Sequence, residues 1–291
     1  MNRQTRVLLP WLSESEAITS LLGHLPVAGE AIESQRILFN NARDFLLTRD
    51  PYSLLTPIIM DFPRDLQTLS AQFCQRPDVV AAMQGLDWSV GIADLREVLS
   101  FQKIVNEEQA LERANSVNLL DPQSLFSFCL PESGSETILH GALDLDQRGI
   151  TLSSLNPNLR VGTQLGADVT LAAVPGGAGR KEKLIGFTIN FGANFIQIAE
   201  YKERWFVRDG YHRTFGLLRR GVHQIPCIFI KARNFQELGA SNPGFFPYEA
   251  LFGDRPPFLT DFLDDRLSVS VSQKAVRKIV RISAEEFVVE V

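Results

Sequence analysis

Cysteine is scarce in this sequence of 291 residues: the chain has three, far apart and set among apolar neighbours. There is no Cys-x-x-Cys pair and no Cys/His spacing typical of a metal site, so the sequence predicts no metal centre. An odd number of widely separated cysteines also argues against a disulfide framework. We therefore predict buried, reduced thiols in a cytoplasmic protein; the three residues are Cys74, Cys129 and Cys227.

The sequence also lacks a long hydrophobic run and an excess of positive charge. Glu14 and Glu16 interrupt the apolar segment near the N-terminus before it reaches the length of a signal or membrane helix, so we expect no membrane contact. The formal net charge is −5, which argues against a general nucleic-acid-binding surface. The hydrophobic content of 45% and the charged content of 22% are ordinary for a globular protein.

Hydrophobic spacing predicts a mainly helical N-terminal half, from residue 6 to about residue 117. Apolar residues recur at helical spacing over residues 31–45 and again over residues 66–73. Asp94 is expected to open a third helix containing Leu95, Val98 and Leu99. Asn106 is expected to cap a further short helix that ends near Asn115. This half has no recognisable catalytic signature, and it is a candidate surface for a protein partner.

The composition changes near residue 120. From residue 126 onward, β-branched and aromatic runs alternate with glycine-rich turns, which is typical of strands. We predict an α+β protein with a mainly helical domain over residues 1–120 and a mixed β-sheet domain over residues 121–291.

The stretch from Phe195 to Ile230 has the most distinctive order of predicted elements in the chain. A charged break, Lys202-Glu203, separates two apolar strands, and Asp209-Gly210 is a tight glycine turn. The next ten residues contain no proline and end at Gly221, the residue type that a helix C-terminus favours. The predicted elements are strands over 195–201 and 205–207, a helix over 211–220 and a strand over 225–230.

The predicted helix places Tyr211, His212 and Arg213 in its first turn. Free backbone N–H groups and the positive end of the helix dipole make such a turn a site for an anion. Between residues 200 and 221 there are six basic and three acidic residues, a local net charge of +3 on an acidic protein. This pattern favours a small anionic ligand over a long polyanion.

The same residues resemble the ParB/sulfiredoxin superfamily. ParB-type domains have Gly-Glu-Arg-Arg at a helix start, a second glycine eleven residues later and Ile/Val-Pro soon after. Here Gly210-Tyr211-His212-Arg213 is followed by Gly221 and by Ile225-Pro226. Sulfiredoxins have Gly-Cys-His-Arg at this turn, and Asp-Gly-His-His-Arg variants occur in ParB-like proteins of unassigned role, to which Asp209–Arg213 is most similar. The resemblance covers roughly residues 184–231.

The resemblance implies a ParB/sulfiredoxin-like fold for the second domain and a nucleotide or other phosphate-bearing ligand at the turn. Three departures limit it. Tyr211 stands where sulfiredoxins have the reactive cysteine and ParB its glutamate. Gly192 matches the glycine of the family's upstream phosphate box, but Phe195 occupies the polar position of that box. No helix-turn-helix pattern follows Ile230, which argues against a DNA clamp.

Two classes of function follow from these observations. In the first, Arg208, Gly210, Tyr211, His212 and Arg213 bind the ligand, and His212 and Asp209 are the candidate catalytic residues of a phosphotransferase or hydrolase. Its cofactor is open, with a nucleotide and Mg²⁺ as one candidate. In the second, the protein is a non-catalytic interaction module and the motif is structural.

The side chains of the turn leave structural roles open as well. Arg213 has as its alternative an ion pair with Asp209 or with another carboxylate. Asp209 has the alternative of capping the helix, and His212 that of a structural hydrogen-bonding residue. Tyr211 either packs in the protein or stacks on the base of a ligand.

Overall fold

The computed structural model describes residues 2–22, 29–53, 62–132, 144–146, 149–154, 159–170, 181–191, 195–240, 244–274, 278–283 and 288. The protein is α+β, as predicted, with a helix-rich N-terminal half and mixed sheet in the C-terminal half. It divides into two compact units. The first unit contains residues 1–132 and 193–275, and the second contains residues 133–192 and 276–291.

Most helices of the described residues lie before residue 130, where the sequence predicted them. The helices expected over residues 31–45, over residues 66–73 and after Asn106 are confirmed as α2, α3 and α5. Asn106 caps α5 by accepting a hydrogen bond from the backbone N–H of Gln109 at 2.9 Å. The described helices α1 to α9 are Glu14–Leu22, Gly29–Thr48, Arg64–Cys74, Pro77–Ala82, Glu107–Asn115, Pro122–Cys129, Tyr211–Arg219, Phe235–Leu238 and Tyr248–Phe252.

The strands of the described residues extend over the whole chain. Those of the first unit are β1 to β4 and β9 to β12, and those of the second are β5 to β8 and β13. Strands β1 to β13 are Asn2–Leu8, Trp88–Asp94, Leu99–Ser100, Ile104–Asn106, Asp144–Asp146, Gly149–Ser154, Leu159–Thr170, Lys181–Phe191, Gln197–Tyr201, Arg204–Asp209, Gln224–Lys231, Ser268–Lys274 and Lys278–Ser283.

The first unit contains a five-stranded sheet with the order β2-β11-β9-β10-β3 and a three-stranded sheet with the order β12-β1-β4. In the larger sheet, β9 and β10 form an antiparallel hairpin, and β11 returns parallel to β9 after α7. The hairpin, glycine turn, helix and strand predicted between residues 195 and 230 are therefore confirmed as elements. Phe101, Phe206 and Phe215 are fully buried in the core of this unit.

Pro226, of the Ile-Pro pair, lies at a position of β11 where the sheet needs no N–H donor. The β11–β2 register, continued by one residue at each end, pairs Lys231 with Asp87 and His223 with Leu95, and both pairs are hydrogen-bonded. The odd-numbered residues of β11 therefore bond to β2. Even-numbered residues face β9, where the Ile228 N–H donates to the Ile196 carbonyl at 2.9 Å. Pro226 lies before the first β9 pairing, so its missing N–H removes no ladder bond.

The helix expected to begin at Asp94 is wrong. Asp94 does accept a hydrogen bond from the backbone N–H of Arg96, at 3.0 Å, but only a 3-10 helix, Leu95–Glu97, follows. Leu99, which fits a helical apolar stripe, belongs instead to β3 and pairs with Phe206 of β10. A short apolar run is compatible with either element, and here the long-range strand pairing decides.

The predicted division at residue 120 differs from the observed units. β2 and β3, from the N-terminal half, pair with β11 and β10 in one sheet, and β1 pairs with β12 over seven positions. The first unit therefore combines residues from both ends of the sequence, whereas the second contains two antiparallel arrangements, β13-β6-β5 and the β7–β8 hairpin. Within the described part of the chain, no helix is both long and apolar enough to cross a bilayer.

Candidate functional site

The glycine turn before α7 has the geometry that the sequence predicts. Gly210 has a φ of 92°, which side-chain-bearing residues rarely adopt. A Cβ at this position would lie 2.8 Å from Cγ1 of Ile196, so there is no space for a larger residue. The Asp209 carboxylate accepts a hydrogen bond from the Gly210 N–H at 2.7 Å. The turn is thus held by its own backbone and by its close contact with Ile196.

Tyr211 faces the interior of the protein. Its side chain is 3% exposed, and the phenol oxygen accepts a hydrogen bond from the backbone N–H of Phe101 at 2.7 Å. Burial raises the pKa of the phenol, so Tyr211 is neutral in the folded protein. This bond joins the start of α7 to the chain just after β3, which is a structural role.

Arg213 is also buried, at 3% exposure. Its guanidinium donates to the carbonyl oxygens of Phe128, at 2.8 Å, and Cys129, at 3.3 Å. Both carbonyls belong to the last turn of α6, where backbone oxygens have no partner within the helix and where the helix dipole is negative. Arg213 therefore caps the C-terminus of α6. The prediction that this side chain faces an open anion site does not describe its position in the structure.

Three further arginines of the same stretch have the same role. Arg204, Arg208 and Arg220 each donate to backbone carbonyls at or beside the end of a helix: α9, α8 and α5, respectively. Arg208 also donates to the side-chain oxygen of Gln197. The accepting carbonyls are those of Leu251 (2.8 Å) and Gly253 (2.9 Å) for Arg204, Glu237 (3.1 Å) for Arg208, and Ala114 and Val117 (3.1 Å) for Arg220.

The two remaining basic residues of the stretch also have protein partners. Lys202 donates to the phenol oxygen of Tyr248 at 2.9 Å, and the Arg219 guanidinium lies 3.5 Å from the Glu107 carboxylate. All six basic residues between positions 200 and 221 are thus engaged within the protein. The local excess of positive charge, which suggested an anionic ligand, is used mainly to satisfy helix C-termini.

His212 is the one residue of the predicted set that is neither part of the tight turn nor a helix cap. Its side chain is partly exposed. Burial of the ring, and then the positive charges of Arg113 on α5 and Arg3 on β1, lower its pKa to about 4. The imidazole is therefore neutral at pH 7. It lies in a positive environment built from three elements, but it contributes no charge of its own.

The cysteines and the possible metal ligands of the described residues do not add a reactive group to the turn. Burial raises the pKa of the Cys129 thiol to about 12 and that of Cys227 well above its usual value, so both are unreactive thiols. Among the described residues there is no group of three or more His, Cys, Asp or Glu side chains that could hold a metal ion. Of the upstream phosphate box, Phe195 is buried in the core, and Gly192 lies outside the described residues.

A surface cavity is lined by residues outside the turn, and no sequence pattern predicts it. Its volume is about 270 Å³, and the Glu16 carboxylate accepts a hydrogen bond from Lys103 at 2.9 Å within it. The lining residues are Leu12, Ser15, Glu16, Thr19, Ser20, Lys103 and Ile104. The lining combines apolar and polar side chains, and its two ionisable groups, Glu16 and Lys103, are paired with each other.

Comparisons with known proteins add no further assignment: no family model, no curated protein and no solved structure matches the chain. The resemblance to the ParB/sulfiredoxin superfamily therefore depends on the residues quoted above and stays a prediction.

Proposed function

We propose that this protein is a non-catalytic interaction module in which the turn at residues 209–213 is a structural joint. The observation that carries the proposal is the use of Arg204, Arg208, Arg213 and Arg220 as donors to the ends of four helices. In this role a guanidinium is committed to the fold through the N–H groups that donate to fixed backbone carbonyls.

The chemistry of the turn supports the same conclusion. Stabilising a transferred phosphoryl group requires donors and cations directed at the position where charge develops. Arg213 and Tyr211 are each 3% exposed and directed at backbone groups of other segments. A neutral His212 and a single carboxylate, Asp209, do not form a catalytic set without them.

The helix-rich half provides a surface for a protein partner. α2 packs on the core through Phe39 and Ala42, yet Ile37 is 53% exposed and Leu47 is 65% exposed. We infer that these exposed apolar side chains belong to a contact surface on α2. Its location in the cytoplasm is part of the proposal and is supported by the three free cysteines.

A phosphate-bearing ligand is the second candidate function. It is supported by the positive environment that Arg3 and Arg113 create at His212, in the first turn of α7. In this alternative the ligand is a nucleotide, with Mg²⁺ as its counter-ion, and it contacts the outer side of the turn rather than Arg213. The ParB/sulfiredoxin resemblance belongs to this alternative.

Thermal unfolding with CTP, ATP, GTP and ADP, with and without Mg²⁺, separates the two candidates. Under the main proposal, the melting temperature of the wild-type protein is unchanged by every nucleotide, and no phosphate is released. A rise in melting temperature that is lost in both His212→Gln and Arg3→Ala overturns the proposal and favours the ligand.

The interaction surface is tested separately with Leu47→Lys, which replaces an exposed side chain and is expected to leave the fold intact. A protein that copurifies with the wild type is expected to be lost with Leu47→Lys and retained with Arg43→Lys, an exposed residue on the same helix. Equal recovery with both variants contradicts a role for this face of α2.

A further inference from the structure

Strand β2 lies at the edge of the five-stranded sheet and pairs with β11 on one side only. The hydrogen bonds at its two ends fix which residues face β11. The Lys231 N–H donates to the Asp87 carbonyl, and the Leu95 N–H donates to the His223 carbonyl. Because antiparallel pairs alternate, the odd-numbered residues from 87 to 95 are the ones that bond to β11.

The even-numbered residues of β2 consequently direct their backbone N–H and C=O groups away from the sheet. These residues are Trp88, Val90 and Ile92, and their side chains are apolar and partly exposed. Among the described residues, no group outside β11 forms a backbone hydrogen bond with them. Within the part of the chain that the structure describes, this edge thus has three donor–acceptor pairs without a backbone partner.

Between Trp88 and Ala93 this edge has few of the features that normally protect an exposed strand; its one charged residue, the buried Asp94, lies at the end of β2. β2 contains no proline and no lysine, and its seven residues keep a continuous register with β11, without a bulge. A long, regular and apolar edge is a template for pairing with another strand. Such an edge is expected to be covered when the protein functions.

The sequence of the edge fits a second copy of itself. Gly91 is the central residue of Trp88–Asp94, and a two-fold axis at Gly91 places Val90 opposite Ile92 of the partner subunit. The absence of a side chain at Gly91 permits the close approach of about 4.5 Å between Cα atoms in a non-hydrogen-bonded pair. Asp87 and Arg96, both exposed, lie at opposite ends of the edge, so antiparallel pairing places Asp87 near the Arg96–Asp94 ion pair of the second copy and brings no like charges directly opposite each other.

We propose that β2 pairs antiparallel with β2 of a second copy of this chain, which joins the two five-stranded sheets into one continuous sheet of ten strands. The contact combines backbone hydrogen bonds from the even-numbered residues with apolar contacts of Val90 and Ile92. This inference goes beyond the proposed function and does not depend on it, since the turn and α2 take no part in the contact.

Sedimentation velocity of the full chain from 1 to 100 µM tests the proposal. We expect a dimer for the wild type and at least a tenfold weaker association for Val90→Lys, because a charged residue on an edge opposes pairing. Ser89→Lys is the matched control: Ser89 is exposed, but its backbone groups bond to β11, so the dimer is expected to persist. Melting temperatures establish that both variants are folded.

Amide hydrogen exchange tests the register independently. The amides of Val90 and Ile92 are expected to exchange slowly at high protein concentration and rapidly on dilution, whereas those of Ser89 and Ala93 stay protected at both. A wild type that is monomeric at 100 µM, or a Val90→Lys variant that dimerises like the wild type, overturns the proposal. Pairing of β2 with a different protein while the chain alone stays monomeric also overturns it.

Discussion

An arginine close to the N-terminus of a helix normally opposes the helix dipole, and Arg213 illustrates how a fold resolves this conflict. The carbonyl oxygens at the C-terminus of α6 provide compensating negative potential, because they accept hydrogen bonds from the guanidinium. The chemical need for a negative partner could be predicted from the sequence, but the partner could not. Phe128 and Cys129 are 85 and 84 residues away in the sequence, and backbone carbonyls have no sequence signature.

Removal of the Arg213 side chain tests its capping role. Arg213→Ala removes the donor to the Phe128 carbonyl, one of two donors to the Cys129 carbonyl, and buried side-chain volume, so the free energy of unfolding is expected to fall by about 3 kcal/mol. Arg219→Ala, on the same helix but partly exposed and 3.5 Å from its carboxylate partner, is expected to change it by less than about 0.5 kcal/mol. Urea unfolding followed by circular dichroism measures both; equal losses for the two variants contradict the role.

The lowered pKa of His212 gives the protein a pH-dependent stability. The imidazole pKa is about 4 in the folded protein, against about 6.5 when unfolded, so between these values the unfolded chain binds a proton that the folded one does not. This contribution to the free energy of unfolding is complete above pH 6.5 and is lost as the pH falls toward 4.

We expect His212→Gln to remove that part of the pH dependence while keeping a polar side chain. The stability difference between wild type and variant, measured by urea unfolding at pH 7, 6, 5 and 4.5, should change in favour of the variant as the pH falls. A difference that is constant across this range indicates that His212 titrates normally and is not enclosed.

At the scale of secondary-structure elements, the packing of α7 on α5 depends on one small residue. A Cβ on Gly216 would lie 2.3 Å from the carbonyl oxygen of Ala110, and that oxygen belongs to a rigid helix backbone. Helix propensity alone predicts that Gly216→Ala stabilises α7 by about 1 kcal/mol. The close contact with Ala110 predicts instead that Gly216→Ala destabilises the protein.

We expect Gly216→Ala to lower the melting temperature, because α5 and α7 must separate to accommodate the methyl group. Asn115→Ala, at the exposed C-terminal end of α5, is a control in which propensity acts without a clash, and it is expected to be neutral or slightly stabilising. Differential scanning calorimetry of both variants checks the signs, and a more stable Gly216→Ala protein would show that the helices are not in close contact.

Elements with a strong local signal could be predicted, and those set by distant pairing could not. α2 and α5 follow from apolar periodicity and a cap, and the hairpin before α7 follows from two apolar runs with a charged break. β1 overlaps the half that the sequence predicts to be helical, because the short apolar pair Val7 and Leu8 fits both helical and strand periodicity. Its pairing with β12 connects opposite ends of the chain. β3 was misassigned for the same reason.

At the scale of the whole molecule, the change in composition near residue 120 does not correspond to a change of compact unit. It reflects a change from helices to strands, whereas the larger unit collects its sheets from both sides of that point. The chain leaves this unit after residue 132 and returns at residue 193, and the Ile196 N–H donates to the Cys129 carbonyl at 3.0 Å close to both points. The exit and the return are therefore neighbours in space.

This geometry predicts that the first unit folds alone. In the shortened chain, a flexible linker of about ten Gly and Ser residues replaces residues 133–192, and the chain stops after residue 275. It keeps every strand of the two sheets of the first unit, the five-stranded sheet and the sheet β12-β1-β4. We expect a single cooperative unfolding transition by urea and dispersed amide resonances by NMR. The matched control also removes residues 268–275, which deletes β12 and its seven pairings with β1, so that β1 keeps only its short pairing with β4 and the chain should not fold. A collapsed, non-cooperative first unit would instead mean that the inserted residues contribute to its core, because the only covalent change at that point is a short bridge between adjacent chain ends.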